Sequence, residues 1–293
     1  MSGRVVSGRS FTVVVNPAAD GAAAVHPLAR RLRDAGADVA VEHTRSLAHA
    51  AELARAAAGA GRVALAVGGD GMAGAVGGAL AGTGSVFGIV PAGRGNDFAR
   101  QLAIPAAPDA LAPLLLDGTP RAVDAIEANG VAVLGSVYAG VDAVAGRYAN
   151  RSRLLRGSAS YYAGALRAVL GWRPADYRVT VDGVEYRERG YTVVAANSGY
   201  YGFGRRIAPD ARADDGLLDV VIVGDGPKTM FFSVMRELED GRHVHRPQVR
   251  VVRGREVRIE AARELPYGAD GELPGTLPVT VRVLPGALRI LAP

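Results

Sequence analysis

The first part of the chain alternates short runs of consecutive apolar residues with segments whose apolar residues recur every three to four positions. The apolar runs cover residues 11–15, 39–43, 63–67 and 86–90, and the helical pattern covers about 22–35, 47–58 and 73–80. Strands that are apolar at every position are buried on both faces. This part is therefore predicted to form a parallel sheet covered by helices on both sides.

The pattern changes after about residue 120, where the runs become shorter and turn residues separate them. Asn129-Gly130 and Asp182-Gly183 each lie between two such runs, and both dipeptides favour two-residue hairpin turns. Helical patterns occur only near 153–170 and 228–240. The remaining runs predict an antiparallel β-sandwich, with strands at 121–128, 131–138, 177–181, 184–187, 217–223, 248–252, 256–260, 279–283 and 287–291. We therefore predict two domains, 1–120 and 121–293, with their shared cleft as the active site.

Composition narrows the class of protein. A chain of 293 residues is longer than one core usually needs, and the absence of cysteine excludes disulfides and cysteine-based sites. The sequence shows no signal peptide and no apolar run near the ~20 residues that span a bilayer. The net charge is +5, and Lys228 is the only lysine. The arginines are scattered without interleaved aromatics, so no nucleic acid partner is expected. The five histidines, 26, 43, 49, 243 and 245, are expected at the surface.

Gly68-Gly69-Asp70-Gly71 directly follows the third predicted strand and precedes a predicted helix. Such a turn presents free backbone N–H groups, and glycines allow a phosphate to approach closely. Asp70 would repel a bare phosphate, so its presence indicates a phosphate that arrives with a divalent cation. The alternative is an ordinary tight turn. The turns after Asn16, Thr44 and Gly93 should lie at the same sheet edge, because the carboxyl ends of parallel strands meet there.

Five motifs in order resemble the bacterial diacylglycerol kinase-like lipid kinases, which are related to NAD kinases. The resemblance extends from Asn16 to Glu272, and it implies an α/β nucleotide-binding domain followed by a β-sandwich. The motifs are Asn16-Pro17, Gly68-Gly69-Asp70-Gly71, residues 91–100 with Gly93, Asn96 and Asp97, residues 214–219, and Asp270-Gly271-Glu272. Asn197 and Gly140-Val141-Asp142-Ala143 are subsidiary matches.

The resemblance implies which residues act. Glu272 would be the general base for a lipid hydroxyl in a buried cleft, with Asp270 beside it and Asp70 near the triphosphate and its Mg²⁺. A separate Mg²⁺ would be held by the side chain of Asp215 and the carbonyls of Arg212 and Leu217, although that segment taken alone reads as a turn. The residues implied to hold ATP are Asn16, Pro17, Thr44, Gly68, Gly69, Asp70, Gly71, Met72, Gly74, Gly93, Arg94, Asn96 and Asp97.

Four positions depart from the family pattern: Met72, Gly74, Ala75 and Arg94. Met72 lacks the hydroxyl of the usual threonine, whereas Arg94 could bind phosphate through two donors. ATP contacts are therefore expected to be redistributed. Met72, Gly74 and Ala75 motivate one rival hypothesis, a nucleotide- or lipid-binding regulator that has lost catalysis. The other rival is an NAD kinase-like phosphotransferase.

The resemblance predicts an ATP- and Mg²⁺-dependent kinase of a membrane lipid alcohol, in the first place diacylglycerol, with phosphatidic acid as product. Such an enzyme would be cytoplasmic and peripheral at the inner membrane face. The predicted helix at 153–170 combines apolar residues with arginines, so it is a candidate for contact with an anionic membrane. The alternative is that it packs on its own domain. The oligomeric state stays open, with a homodimer among the options.

Overall fold

A computed structural model describes residues 8–17, 25–151 and 158–293. The chain divides into two compact units. The first runs to Val123 and also includes Gly286–Pro293, and the second is Asp124–Pro285. In the described ranges no helix is both long and apolar enough to cross a membrane.

The first unit is a parallel α/β sheet, as the apolar runs predict. Its strand order is β2-β1-β3-β4, and the end of the last strand of the chain, β17, pairs in parallel beside β4 through Arg289 and Ile290. Its elements are β1 (Ser10–Val15), α1 (Val25–Asp34), β2 (Asp38–His43), α2 (Leu47–Gly59), β3 (Val63–Gly68), α3 (Asp70–Leu80), β4 (Val86–Pro91), α4 (Asp97–Gln101), α5 (Pro108–Asp117) and the end of β17 (Val279–Leu291).

The strand order of this sheet reverses between β1 and β3. β2 lies on one side of β1, and β3 and β4 lie on the other. In open α/β sheets, ligands bind beyond the carboxyl ends of the strands at such a reversal. Asn16 follows β1 and Gly69 follows β3, so these two turns border that position.

The second unit is an antiparallel β domain, also as predicted. Its main sheet has the order β16-β15-β7-β9-β8-β14-β17, while β12 pairs with β9, β13 with β12, and β6 with β5. Its elements are β5 (Pro120–Ala128), β6 (Val131–Val133), β7 (Ser136–Gly140), α6 (Val141–Arg151), α7 (Ser158–Gly171), β8 (Ala175–Val181), β9 (Val184–Ala196), β10 (Tyr200–Tyr201), β11 (Arg205–Arg206), β12 (Leu218–Gly224), α8 (Met230–Glu237), a 3-10 helix (Arg242–His245), β13 (Val249–Gly254), β14 (Glu256–Ala261), β15 (Pro266–Ala269), β16 (Glu272–Thr276) and most of β17.

Several elements of the structure differ in extent from the elements that the sequence predicted. The helical pattern at 153–170 corresponds to α7, whereas α6 was not predicted; residues 152–157 between the two helices lie outside the described ranges, as do 18–24 before α1. The strands predicted at 279–283 and 287–291 are one strand, β17. Pro285 and Gly286 resemble a turn in sequence, but they fall between the residues paired with β14 and those paired with β4, so the missing proline N–H breaks neither ladder.

Candidate functional site

The two glycine turns of the first unit touch through their backbones. A Cβ added to Gly93 would lie 2.7 Å from the backbone nitrogen of Gly69, which no real side chain tolerates. The N–H of Ala92 donates to the carbonyl of Gly68 at 2.9 Å. Glycine is required at position 93 because two chain segments cross there without room for a side chain.

Asp70 holds the second glycine turn in place. It is the first residue of α3, so the helix begins inside the glycine motif. The sequence pattern had predicted that the helix begins only after the motif. Its Oδ1 accepts the N–H of Phe98 at 3.0 Å, and its Oδ2 lies 2.7 Å from where a Cβ on Gly95 would be. Burial raises the pKa of Asp70, and the N–H groups of Phe98 and Asp97 oppose that rise.

Asn96 and Asp97 shape the same turn. Asn96 has a φ of +52°, a left-handed conformation that asparagine tolerates better than most residues. Its side chain accepts the N–H of Gly93 at 3.0 Å and donates to the carbonyl of Gly93 at 2.8 Å. Asp97 pairs with Arg100 at 3.1 Å. Arg94 lies exposed between these contacts, so it is the side chain of this turn that faces solvent.

The other predicted ATP residues differ in their burial and in the groups that they bind. The hydroxyl of Thr44 donates to the carbonyl of Ser46 at 2.5 Å and accepts the N–H of Ser46. The N–H of Asn16 donates to Val67 at 3.3 Å, which joins the ends of β1 and β3. Met72 is only 3% exposed and packs under Gly68, where a Cβ would lie 2.6 Å from its Cγ. Pro17 is exposed and Gly74 half-buried.

In the second unit, the side chain of Asp270 accepts hydrogen bonds from the backbone. Its two oxygens accept the N–H groups of Leu134, Gly135 and Ser136 at 2.8, 2.9 and 3.1 Å. Asp270 and Gly271 form the turn between β15 and β16, with φ of +45° and +89°. These contacts make Asp270 a residue that positions the hairpin, since its oxygens are engaged by three donors.

Glu272 is the first residue of β16, directly after that turn, and pairs with Ala269 across the hairpin. Its side chain is exposed. The expectation that it is buried is therefore wrong for this structure, because a residue beside a two-residue turn protrudes at the end of the hairpin.

Asn197 holds the segment 134–136 from the other side. Its side-chain nitrogen donates to the carbonyls of Asp124 and Leu134, both at 2.9 Å, and its N–H donates to the carbonyl of Gly135 at 2.9 Å. The side chain is fully buried, and its Oδ1 has no hydrogen-bond partner among the described residues. Sequence reasoning noted this residue only as a motif match. Its network depends on β5, β7 and β9 coming together.

The predicted Mg²⁺ residues form a network with an arginine. Asp215 accepts the N–H of Leu217 at 3.1 Å and pairs with Arg253. Arg253 also lies 3.4 Å from Asp219, whose other oxygen is buried without a partner among the described residues. Burial raises the pKa of Asp219, Arg253 opposes that rise and Asp215 adds to it. The side chain of Arg212 pairs with Asp214 at 3.2 Å.

These oxygen donors suit a hard cation such as Mg²⁺, and the unpartnered oxygen of Asp219 is a group that a cation would satisfy. In the described part of the chain, no three or more Asp, Glu, His or Cys side chains gather in a way that could hold a metal. A site made of one carboxylate and backbone carbonyls needs no such cluster. The Mg²⁺ ligands therefore stay a prediction.

Together, a parallel α/β unit with crossing glycine turns and an antiparallel β unit with acidic turns define a kinase of the diacylglycerol kinase and NAD kinase type. Residues 10–128 match the model of the diacylglycerol kinase catalytic domain, and residues 135–292 match that of the YegS C-terminal NAD kinase beta sandwich-like domain. The chain belongs to the diacylglycerol kinase-like lipid kinase family.

Individual relatives agree with this assignment. A diacylglycerol kinase of Mycobacterium tuberculosis is 34% identical over 96% of this chain and 94% of its own length. A Pseudomonas aeruginosa protein named "Probable lipid kinase YegS-like" is 32% identical over 70% of this chain and 67% of its own. The crystal structure of a Bacillus anthracis diacylglycerol kinase superposes with a TM-score of 0.75 over 98% of both chains at 22% identity, which supports the fold.

Proposed function

We propose that this kinase transfers the γ-phosphoryl group of ATP to the hydroxyl of a membrane lipid, converting diacylglycerol to phosphatidic acid. The observation that carries the proposal is the crossing of Gly69 and Gly93 next to the strand reversal. These two turns follow β3 and β4 at the edge of the sheet where α/β proteins bind phosphates.

In this proposal the chain holds ATP mainly through backbone. Gly71, where a Cβ would meet nothing closer than 3.8 Å, leaves room for the phosphates, while Asp70, Asn96 and Asp97 hold the second turn in position. Arg94 supplies a cation that can bind a phosphate through two donors. Mg²⁺ bound with ATP would neutralise charge on the β- and γ-phosphates.

The transfer itself needs a proton acceptor for the lipid hydroxyl, and we assign that role to Glu272. The hydroxyl oxygen forms a bond to the γ-phosphorus, the bond from that phosphorus to the β–γ bridging oxygen breaks, and ADP leaves. The hydroxyl proton passes to the carboxylate of Glu272. Asp270 does not take the proton in this proposal. It fixes the hairpin that carries Glu272 through its bonds to residues 134–136.

The experiment is to incubate the protein with radiolabelled ATP, Mg²⁺ and a total lipid extract, and to identify the lipid that gains phosphate. Glu272→Gln should lower the rate at least a hundredfold, a typical effect of losing a general base. Glu264→Gln, an exposed glutamate in a loop, is the matched control and should keep the native rate. Full activity of Glu272→Gln would remove the proposed role, and phosphate appearing on added NAD would favour the NAD kinase-like rival.

We also assign the membrane contact to the exposed face of α7 and α8. Leu166, Leu170 and Phe232 are 41%, 62% and 65% exposed, and the ammonium of Lys228, in the turn before α8, donates to the carbonyl of Leu170 in α7. Arg167 of α7 and Arg236 of α8 carry positive charge, with Arg173 and Lys228 beside the two helices, and the acidic Glu237 at the end of α8 is paired with Arg246. Exposed apolar side chains bordered by cations match an anionic lipid surface.

One structural observation favours the rival hypothesis of a nucleotide- or lipid-binding regulator without catalysis. Met72 fills the space under Gly68 where the family has threonine, so no hydroxyl is available at that point for a phosphate. Binding of ATP without phosphate transfer to any lipid of the extract would favour this rival.

A further inference from the structure

The sheet of the second unit has an edge strand, β13, that the proposed transfer does not use. β13 pairs with β12 in an antiparallel ladder, and no described strand pairs with its other side. An edge strand presents a row of backbone N–H and C=O groups that can pair with another chain. Proteins often block such an edge with proline, and β16, at another edge, contains Pro274. β13 contains no proline.

The outer side of β13 carries the backbone groups of every second residue. The N–H of Gly224 donates to the carbonyl of Gln248 at 2.7 Å, and these two residues continue the register of the β12–β13 ladder. Hydrogen-bonded and non-hydrogen-bonded pairs alternate along an antiparallel ladder. The even-numbered residues of β13 therefore direct their backbone groups towards β12. The odd-numbered residues, Val249, Val251 and Arg253, direct theirs away from it.

Val251 is the middle residue of this outer side. The N–H of Val249 donates to the carbonyl of Arg246 at 2.9 Å, so that donor is already satisfied. Among the described residues, no group outside β12 forms a hydrogen bond with the backbone of Val251. Its side chain is 41% exposed. Val251 therefore combines an outward N–H, an outward C=O and an exposed apolar side chain at one position.

The two arginines of β13 have partners within their own chain. Arg253 pairs with Asp215 and lies 3.4 Å from Asp219. The guanidinium carbon of Arg250 lies 5.8 Å from the centre of the Tyr186 ring, a cation–π contact. Charged side chains on an edge strand usually oppose pairing with another copy, because like charges then meet. The contacts of both guanidiniums with their own chain reduce this repulsion.

The sequence of β13 is complementary to itself in an antiparallel pair with a twofold axis at Val251. In that register Val251 faces Val251 of the second copy, Arg250 faces Val252, and Val249 faces Arg253. No arginine lies directly opposite another, whereas an axis at Arg250 or at Arg253 would bring two guanidiniums together. The outward groups also match. The two Val251 residues exchange a pair of hydrogen bonds, and the N–H of Arg253 donates to the carbonyl of Val249.

We propose that two copies of this chain associate through β13, which pairs antiparallel with itself about Val251 and joins the two sheets into one. A second copy fits this edge better than a foreign strand does, because the hydrogen-bonding groups, the apolar side chain and the charges of the edge all complement themselves. Two short strands bury less than the roughly 1,600 Å² of a standard interface, so we expect a dissociation constant in the micromolar range. The association does not depend on the kinase reaction.

The test exploits the fact that residue 251 meets itself at the axis. Analytical ultracentrifugation of the full chain over a concentration series should show the native chain changing from monomer to dimer. Val251→Lys and Val251→Glu, each alone, should raise the dissociation constant at least tenfold, because like charges then lie opposite each other. An equimolar mixture of these two variants should dimerise again, because opposite charges meet in the mixed pair.

Val184→Lys is the matched control, because Val184 is a comparably exposed valine at the start of β9, and this variant should dimerise like the native chain. Circular dichroism checks that every variant is folded. A native chain that stays monomeric at all concentrations would overturn the proposal and leave the edge to a strand of another protein. Dimers of either Val251 variant alone, or a mixture of the two that stays monomeric, would also overturn it.

Discussion

At the scale of single residues, the acidic side chains divide by what they bind. Asp70 and Asp270 both accept backbone N–H groups of a neighbouring turn. Glu272 is exposed and free of such bonds in the described structure, apart from its strand pairing. The two oxygens of Asp270 already accept three backbone N–H groups, so they have less capacity for a substrate hydroxyl than the exposed carboxylate of Glu272. This contrast is why the proton is assigned to Glu272 and not to Asp270.

The buried carboxyl group of Asp142 leads to a prediction about how the free energy of unfolding depends on pH. Burial raises its pKa to about 6 from 3.8, against the hydrogen bond of Thr192. A raised pKa means that the folded state binds the proton more tightly. Its stabilising contribution is therefore complete below pH 4 and is lost as the pH rises through 6. The loss is about 3 kcal/mol in the free energy of unfolding.

Asp142→Asn removes this titration. Urea unfolding at pH 4 to 8 should show the variant gaining about 3 kcal/mol relative to the native chain as the pH rises. Tyr177, whose pKa is raised by burial, interacts with Asp142 from β8, and Arg205 and His243 line the same cavity of the second unit as Asp142. His243 has a lowered pKa, so its contribution changes in the opposite direction. Because His243 is present in the native chain and in the variant, the difference between their free energies of unfolding reports the effect of Asp142. Parallel curves would contradict the prediction.

At the scale of elements, the crossing of the two glycine turns shapes the edge of the parallel sheet that is proposed to bind ATP. Gly93→Ala would force the turns after β3 and β4 apart, because its Cβ would lie 2.7 Å from the nitrogen of Gly69. We expect the affinity for a fluorescent ATP analogue to fall at least tenfold. Gly59→Ala is the control, since a Cβ there meets nothing within 4 Å. Unchanged affinity in Gly93→Ala would show that nucleotide binding does not depend on this crossing.

The exposed face of α7 and α8 leads to a prediction about binding to anionic membranes. Leu170→Glu together with Phe232→Glu should reduce co-sedimentation with phosphatidylglycerol vesicles at least tenfold, because each change removes apolar area and adds an anion. Val184→Glu, which changes a comparably exposed apolar residue at the start of β9, should bind like the native chain. Loss of binding in the control, or equal binding to neutral phosphatidylcholine by the native chain, would contradict the assignment.

At the scale of the whole molecule, the end of the chain returns to the first unit. Gly286–Pro293 cluster with the α/β unit, and Ile290, 0% exposed, pairs with Phe87 of β4. The first unit therefore needs residues that are far away in sequence.

Ile290→Ala tests this dependence. Truncating a fully buried isoleucine should cost about 2 to 4 kcal/mol in the free energy of unfolding. Leu170→Ala, which truncates an exposed side chain, should change it by less than about 0.5 kcal/mol. Chemical denaturation followed by circular dichroism measures both. A cost at Ile290 no larger than at Leu170 would show that the closing strand adds little to stability.

Local patterns in the sequence were sufficient for the fold class and for the strand-turn-helix segments. Buried parallel strands are apolar at every position, and the turns at Asn129-Gly130 and Asp182-Gly183 have residues that adopt positive φ. The same local information misplaced the limits of β17. Pro285-Gly286 looks like a turn unless the two different partners of that strand are known.

The sequence by itself determined the two-part architecture, the glycine turns and the order of the family motifs, because these depend on residues close together along the chain. Only the tertiary structure decided that Asp270 binds residues 134–136, that His243 is buried and not at the surface, and that the chain's end completes the first sheet. Each of these depends on contacts between residues more than thirty positions apart. Local periodicity contains no information about such contacts.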